Sequence, residues 1–117
     1  MPTPLTPHAN LWIEHDGEVV LSTWRVQLLE AIEATGSISA AAVRMQVQYR
    51  RAWERLEEME RGLGVALVER HVGGPGGGGA RLTDAGREYV TRFNTFAQGV
   101  GALIARLFEQ AFTSEEP

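Results

Sequence analysis

The apolar residues of this chain fall into four stretches of helical period, separated by short runs bounded by turn residues. Val26, Leu29 and Ile32, with Leu28 beside them, share one face of a first helix that starts near Thr23. Gly36 is placed to end that helix, and Ser39 to cap the next, which reads Ser39-Ala40-Ala41-Ala42-Val43-Arg44-Met45. Consecutive alanines let another helix cross closely at the steep angle of a helix-turn-helix. The turn then falls at Gln46-Val47, with Val47 as its buried plug. From Gln48 to about Arg61 the residues Tyr49, Ala52, Trp53, Leu56 and Met59 form one apolar stripe, which predicts a third helix seated on the core.

Two hairpins and a long helix complete the pattern. Leu11 to Leu21 predicts a small hairpin turning at Asp16-Gly17, with Trp12 and Ile13 covering the core or a partner and His15 solvated near the tip. Val65 to Arg70 and Ala80 to Thr83 are strand candidates around a loop with glycine at 73, 74 and 76 to 79. After Thr83, a good N-cap with Asp84 complementing the helix dipole, a helix is indicated to about Phe112. Its residues Tyr89, Phe93, Phe96, Val100, Leu103 and Leu107 alternate spacings of four and three, which is a heptad seam. Ala97, Ile104, Phe108 and Ala111 widen it. A helix of this length reaches about 40 Å at 1.5 Å per residue, well beyond a small domain, so dimerisation is the better account of the seam than packing on its own domain. Gly99 and Gly101 each cost about 1 kcal/mol in a helix interior and leave a kink open.

The predicted fold class is therefore mainly α with a small β wing: a winged helix-turn-helix with an N-terminal β-hairpin and a long C-terminal dimerisation helix. Residues 1–10 are expected to be a flexible N-terminus, 11–112 the domain with its dimerisation helix at 84–112, and 113–117 a disordered acidic tail.

The third helix carries the chemistry. Gln48, Arg51 and Arg55 project together from the side opposite the stripe, and the major groove admits one helix. Arg bonds bidentately to guanine and Gln to adenine, so these three are the predicted base-reading residues. Arg50 points sideways, towards phosphate, and Arg44 joins it. A solvated face laced with Arg–Glu pairs is the competing account. Against it, Glu54, Glu57, Glu58 and Glu60 gather in the second half of the helix and leave its first turns cationic. In the wing, Arg70, His71 and Arg81 and the backbone of Gly76 and Gly77 are the expected phosphate or minor-groove contacts, with a plain mobile linker as the alternative. A phosphate-binding NTPase loop is a much poorer account, because no Gly-Lys-Ser/Thr follows the glycines and the chain has no lysine.

Charge complicates this picture and then supports it. The net charge is −4, with 11 Arg against 15 acids. Met1 to Thr35 holds one Arg and five acids, Gly36 to Arg92 nine Arg and seven acids, and the remainder one Arg and three acids. The proposed contact region is thus the only net basic part, and weak non-specific binding with reliance on paired half-sites is expected. With 117 residues and 44% apolar composition there is room for one core. The three His are scattered, no catalytic triad or metal-ligand cluster can be assembled, and neither an enzyme nor a cofactor is indicated. There is no cysteine, no apolar run approaches the roughly 20 residues of a membrane span, and the start lacks a secretory pattern. A cytoplasmic location without membrane contact is expected.

These segments carry a family resemblance. Gly36-Ser37-Ile38-Ser39-Ala40-Ala41-Ala42, Tyr49-Arg50-Arg51-Ala52-Trp53, Leu67-Val68-Glu69-Arg70 with the glycine run, and Leu82-Thr83-Asp84-Ala85-Gly86 closely resemble the DNA-binding domain of ModE-type molybdate-responsive transcriptional regulators. LysR-type regulators share a looser version. The resemblance covers about Leu11 to Phe112, and Pro75 stands where the family typically has a basic residue. The family's molybdate-binding domains have no counterpart in these residues, so no ligand residues are carried over. The resemblance implies a regulator that binds double-stranded DNA as a homodimer on a palindromic site. The competing class is a protein-interaction module that forms a heterodimer with a related full-length regulator without reading DNA.

Overall fold

The computed structural model describes residues 4–71 and 78–112. The expected mobility of the glycine loop, the roles given to Gly76 and Gly77, and the tail at 113–117 lie outside the described residues. In chain order the elements are β1 (Trp12–His15), β2 (Glu18–Ser22), α1 (Thr23–Thr35), α2 (Ile38–Met45), α3 (Tyr49–Leu63), β3 (Val68–His71), β4 (Gly79–Leu82) and α4 (Asp84–Phe112). The strands form two separate antiparallel hairpins, β1–β2 and β3–β4. This is the winged helix-turn-helix arrangement anticipated from the sequence.

Each boundary has a local cause. Ser22 caps α1 by accepting from the Arg25 amide at 3.1 Å, and Gly36 ends it at φ 83°, a left-handed position that disfavours a Cβ. The cap of α2 is Ser37 and not Ser39: its extended backbone brings Oγ to 2.9 Å from the Ala40 amide, which leaves Ser39 inside the first turn. Gln46 takes the left-handed conformation at φ 59°, so that its own amide and that of Val47 bond back to the end of α2. Val47 packs half-buried on the core beneath this turn. Thr83 opens α4 by accepting from the Gly86 amide at 2.9 Å, and its hydroxyl donates to the Ala66 carbonyl.

The core lies where α1, α2 and α3 meet, with Leu28, Leu29, Ile32, Leu56 and Met59 fully buried and Leu67, Leu82 and Phe93 closing it from the wing and from α4. Three expectations are corrected by this packing. β2, not β1, faces α3, so Val20 and Leu21 take the buried positions while Trp12 and Ile13 stay exposed on the outer strand. The first wing strand begins later than the sequence pattern implied, because Val65 and Ala66 are an exposed connection spanned by the Thr83 hydroxyl, and the second begins one residue earlier, at Gly79. Tyr49, expected in the core stripe, is 52% exposed: as the first residue of α3 it borders a surface cleft with Ser37, Ile38 and Ser39 and does not enter the core.

α4 is continuous through Gly99 and Gly101. Its first half lies on α1 and β4, where Phe93 is 2% exposed and Tyr89, Val90 and Ala97 pack against the core. Phe96, on the far side of the first half, is exposed, and the second half leaves the domain with Leu103 and Leu107 exposed. The radius of gyration, 18.2 Å, records this projection; a compact chain of this length would have about 13 Å. Thr6 to Ala9 border a groove of about 500 Å³ along Ala97, Val100, Gly101 and Ile104.

Gly86 shows how tightly α4 is docked. A Cβ there would stand 2.3 Å from the Leu67 carbonyl oxygen and 3.3 Å from Leu82 Cβ. Because the first obstacle is backbone, Gly86→Ala is expected to destabilise the protein by about 1–3 kcal/mol, read as a lower denaturant midpoint at unchanged slope. Wild-type stability in this variant would mean that α4 can shift without loss.

Candidate nucleic-acid interface

α2 and α3 approach through side chains that have almost no bulk: Ala41, Ala42 and Ala52 are all buried, at 2% exposure or less. The crossing turns the first turns of α3 outward. Gln48, at the N-cap, makes no side-chain capping bond, and Arg50, Arg51 and the α2 residue Arg44 are exposed. Among the described residues none of these three arginines enters an ion pair.

Arg61, at the far end of α3, is likewise exposed and outside any ion pair among the described residues, whereas Arg55, Arg70 and Arg81 are engaged. Arg55 is half-buried, with Nη1 2.9 Å from Glu58 Oε2, while the other oxygen of Glu58 takes Arg25 Nη2 at 2.8 Å. Arg25 also donates to the Arg55 carbonyl at 3.4 Å. Arg55 thus differs from Gln48 and Arg51, with which the sequence groups it: its Nη1 is already held by Glu58, which leaves its other guanidinium donors for a base. Arg81 lies beside its cross-strand partner Glu69 at 3.3 Å, and His71 is exposed at the end of β3. Arg70 sits with its guanidinium 4.2 Å from the Trp53 ring centroid and 3.6 Å from Glu60.

Two carboxylates that sequence reasoning left unassigned attach the wing to this frame. Glu60 Oε2 accepts the amides of Leu67 and Val68, at 2.8 and 3.2 Å, so one side chain satisfies the backbone entering β3. Glu33 does the same for β4: it accepts the Leu82 amide at 2.9 Å and Arg87 Nε at 3.1 Å. A third tie is the Ala80 amide, which donates to the Gly36 carbonyl at 2.7 Å. Glu60 lies seven residues beyond Trp53 on the same helix face, a spacing that could have drawn attention to it. Glu33 is 49 residues from its amide partner, and no local period marks it.

In the seam assigned to dimerisation, the fold separates two groups. Tyr89 and Phe93 belong to the domain's own core, whereas Phe96, Leu103 and Leu107 are exposed and Val100 and Ile104 are half-buried beside them. Phe93 is therefore unavailable to a partner.

These observations have a counterpart among known proteins. Residues 24–87 match the family of bacterial regulatory helix-turn-helix proteins, lysR family. The chain belongs to that family. It is 36% identical over 102 residues to the molybdenum transport protein ModE of Azotobacter vinelandii, covering 87% of this chain and 38% of that protein. It is 40% identical over 74 residues to the DNA-binding transcriptional dual regulator ModE of Escherichia coli (strain K12), covering 63% of this chain and 28% of that one. This LysR-family chain thus spans less than two fifths of the length of these ModE relatives. Among solved structures, the crystal structure of the CbnR_DBD-DNA complex shares its fold, with a TM-score of 0.59 and 24% identity over 74% of this chain and 94% of that one. Among the described residues no helix is long and apolar enough to cross a membrane.

The Glu33 contacts generate a pH dependence. The Leu82 amide and then the Arg87 guanidinium hold its carboxyl below the ordinary carboxylate value. A lowered folded-state value means that this stabilisation is fully present above the unfolded-state pKa and is lost as pH falls through the folded one. Glu33→Gln is expected to flatten the acid limb of a thermal-stability profile between pH 5 and 3, about one unit either side of a normal carboxylate, and to leave that slope unchanged near neutrality. An unaltered acid limb would show that the carboxylate does not stabilise the wing.

Proposed function

We propose that this chain is a sequence-specific double-stranded DNA-binding transcriptional regulator that acts as a homodimer on a palindromic operator. The observation that carries the reading is the partition of charge: Arg44, Arg50 and Arg51 stand exposed without ion partners at the outward turns, while Glu58 and Glu60 are consumed by internal contacts. Membership of a bacterial regulatory family and the names of the relatives support it. Gln48 and Arg51 read bases from the major groove, and Arg55 joins them through the guanidinium donors that Glu58 does not hold. Arg44, Arg50, Arg81, His71 and the wing backbone meet phosphates. Phe96, Val100, Leu103, Ile104 and Leu107 form the dimer seam, which sets two recognition helices about one DNA turn apart. The relatives' names make molybdenum-related gene control in the cytoplasm the proposed setting.

Selection from a random duplex library by the purified protein tests this reading. A palindrome is expected, bound far more tightly than its scrambled version; absence of any enriched sequence would refute it. Arg51→Ala should lower the preference for the enriched site by about 1–3 kcal/mol, whereas Arg81→Ala should weaken both duplexes about equally. An Arg51→Ala protein with intact preference would reject this division of roles. On the dimer, Leu103→Glu together with Leu107→Glu should yield monomers in sedimentation with an unchanged helix content, and a dimer that persists would place the interface elsewhere.

A further inference from the structure

The exposure of Tyr49 has a use that its expected place in the core concealed. Its hydroxyl makes no hydrogen bond among the described residues, and its ring opens on a cleft of about 400 Å³ between the first turn of α3, the start of α2 and the root of the wing. Ser37, Ser39, Trp53, Arg70 and His71 line the cleft, and no acidic residue does. Unpartnered Arg50 and Arg51 follow Tyr49 directly in the chain. A cleft that offers the hydroxyls of Ser37, Ser39 and Tyr49 without a carboxylate, next in the chain to the unpaired Arg50 and Arg51, suits an anion, and beside a helix that enters a DNA groove the anion at hand is the sugar-phosphate backbone.

The ring is not held by chance. Tyr49 meets Trp53 edge-on with centroids 6.1 Å apart, Trp53 lies beneath the Arg70 guanidinium at 4.2 Å, and Arg70 lies 3.6 Å from Glu60, which also fixes β3. The chain of contacts Glu60, Arg70, Trp53, Tyr49 runs from the wing root to the tip of the recognition helix. Arg70 has its Cζ over the Trp53 ring and its Nη2 beside Glu60, engagements that suit a support better than a phosphate ligand.

We propose that Tyr49 is a DNA-backbone contact, donating its hydroxyl to a phosphate oxygen of the strand that flanks the groove occupied by α3. Arg70 is a positioning residue that fixes the Tyr49 ring through Trp53. The inference rests on the duplex-binding reading above and replaces the phosphate role first given to Arg70.

The test is the binding of the enriched and the scrambled duplex, by anisotropy over a salt series, to wild type, Tyr49→Phe, Arg70→Lys and the double variant. Tyr49→Phe should weaken both duplexes by about tenfold, the loss of one hydrogen bond to a charged group, at unchanged salt slope, because a neutral hydroxyl releases no counterion. Arg70→Lys keeps the charge but not the planar stack, so it should lose a similar factor, and the double variant should be no weaker than the weaker single one. Wild-type binding by Tyr49→Phe overturns the contact. Wild-type binding by Arg70→Lys, or additive losses in the double variant, overturns the positioning role. If the wild type binds neither duplex, the DNA reading itself fails, an outcome distinct from both. Thermal melts close to wild type are expected for each variant, because Tyr49 is exposed and the lysine stem still covers Trp53.

Discussion

Everything on the recognition face depends on how closely α2 can approach α3. Ala41 and Ala42 of α2 and Ala52 of α3 are all buried in the core where these helices pack, and none carries more than a methyl group. That small bulk lets the short α2 act as a brace: it fixes the direction of α3 while Gln48, Tyr49, Arg50 and Arg51 stay exposed. The left-handed Gln46 makes the change of direction in a single residue, and Val47 anchors the turn from below. Larger residues at the crossing would have separated the helices and lost the core contacts of Leu56 and Met59, which follow on the same face of α3.

The electrostatics of the molecule are organised by direction more than by amount. A protein with net charge −4 is a poor polyanion ligand on average. Here, however, several carboxylates are occupied within the molecule, where they accept backbone amides or pair with arginines: Glu33 and Glu60 at the wing, Glu58 between Arg25 and Arg55. Such groups have little reach at physiological salt, where the screening length is about 8 Å, whereas exposed arginines at a contact surface act at zero distance. The same carboxylates that make the composition acidic therefore assemble the cationic face.

Much of this was legible from sequence because the information was local. The helix stripes, the Asp16-Gly17 turn, the end of α1 at Gly36 and the full span of α4 each follow from spacing or from one conformationally special residue. What was not legible was long-range. Nothing near Glu33 in the chain announces Leu82 and Arg87, and Trp53 gives no sign that an arginine from the wing will cover it. Tyr49 departs from the stripe for a related reason: helical period says which side of α3 it occupies, but not that the first residue of the helix faces an open cleft. Phe93 belonged to both a heptad and a core, and only packing decides between them. Ser37 and Ser39 compete for one cap, and the extended backbone at Ser37 settles it.

The uninterrupted course of α4 has a mechanical meaning. Its first half is keyed to the domain by Gly86 and Phe93, and its second half carries the exposed apolar residues with no hinge between them. Such a rod transmits phase. Adding or deleting one residue between Phe93 and Phe96 would turn the far seam by about 100° and move it by about 1.5 Å relative to the recognition face. Whatever packs on that seam is thereby clocked to α3, and the number of residues in between is a gear ratio that substitution can leave untouched but insertion cannot.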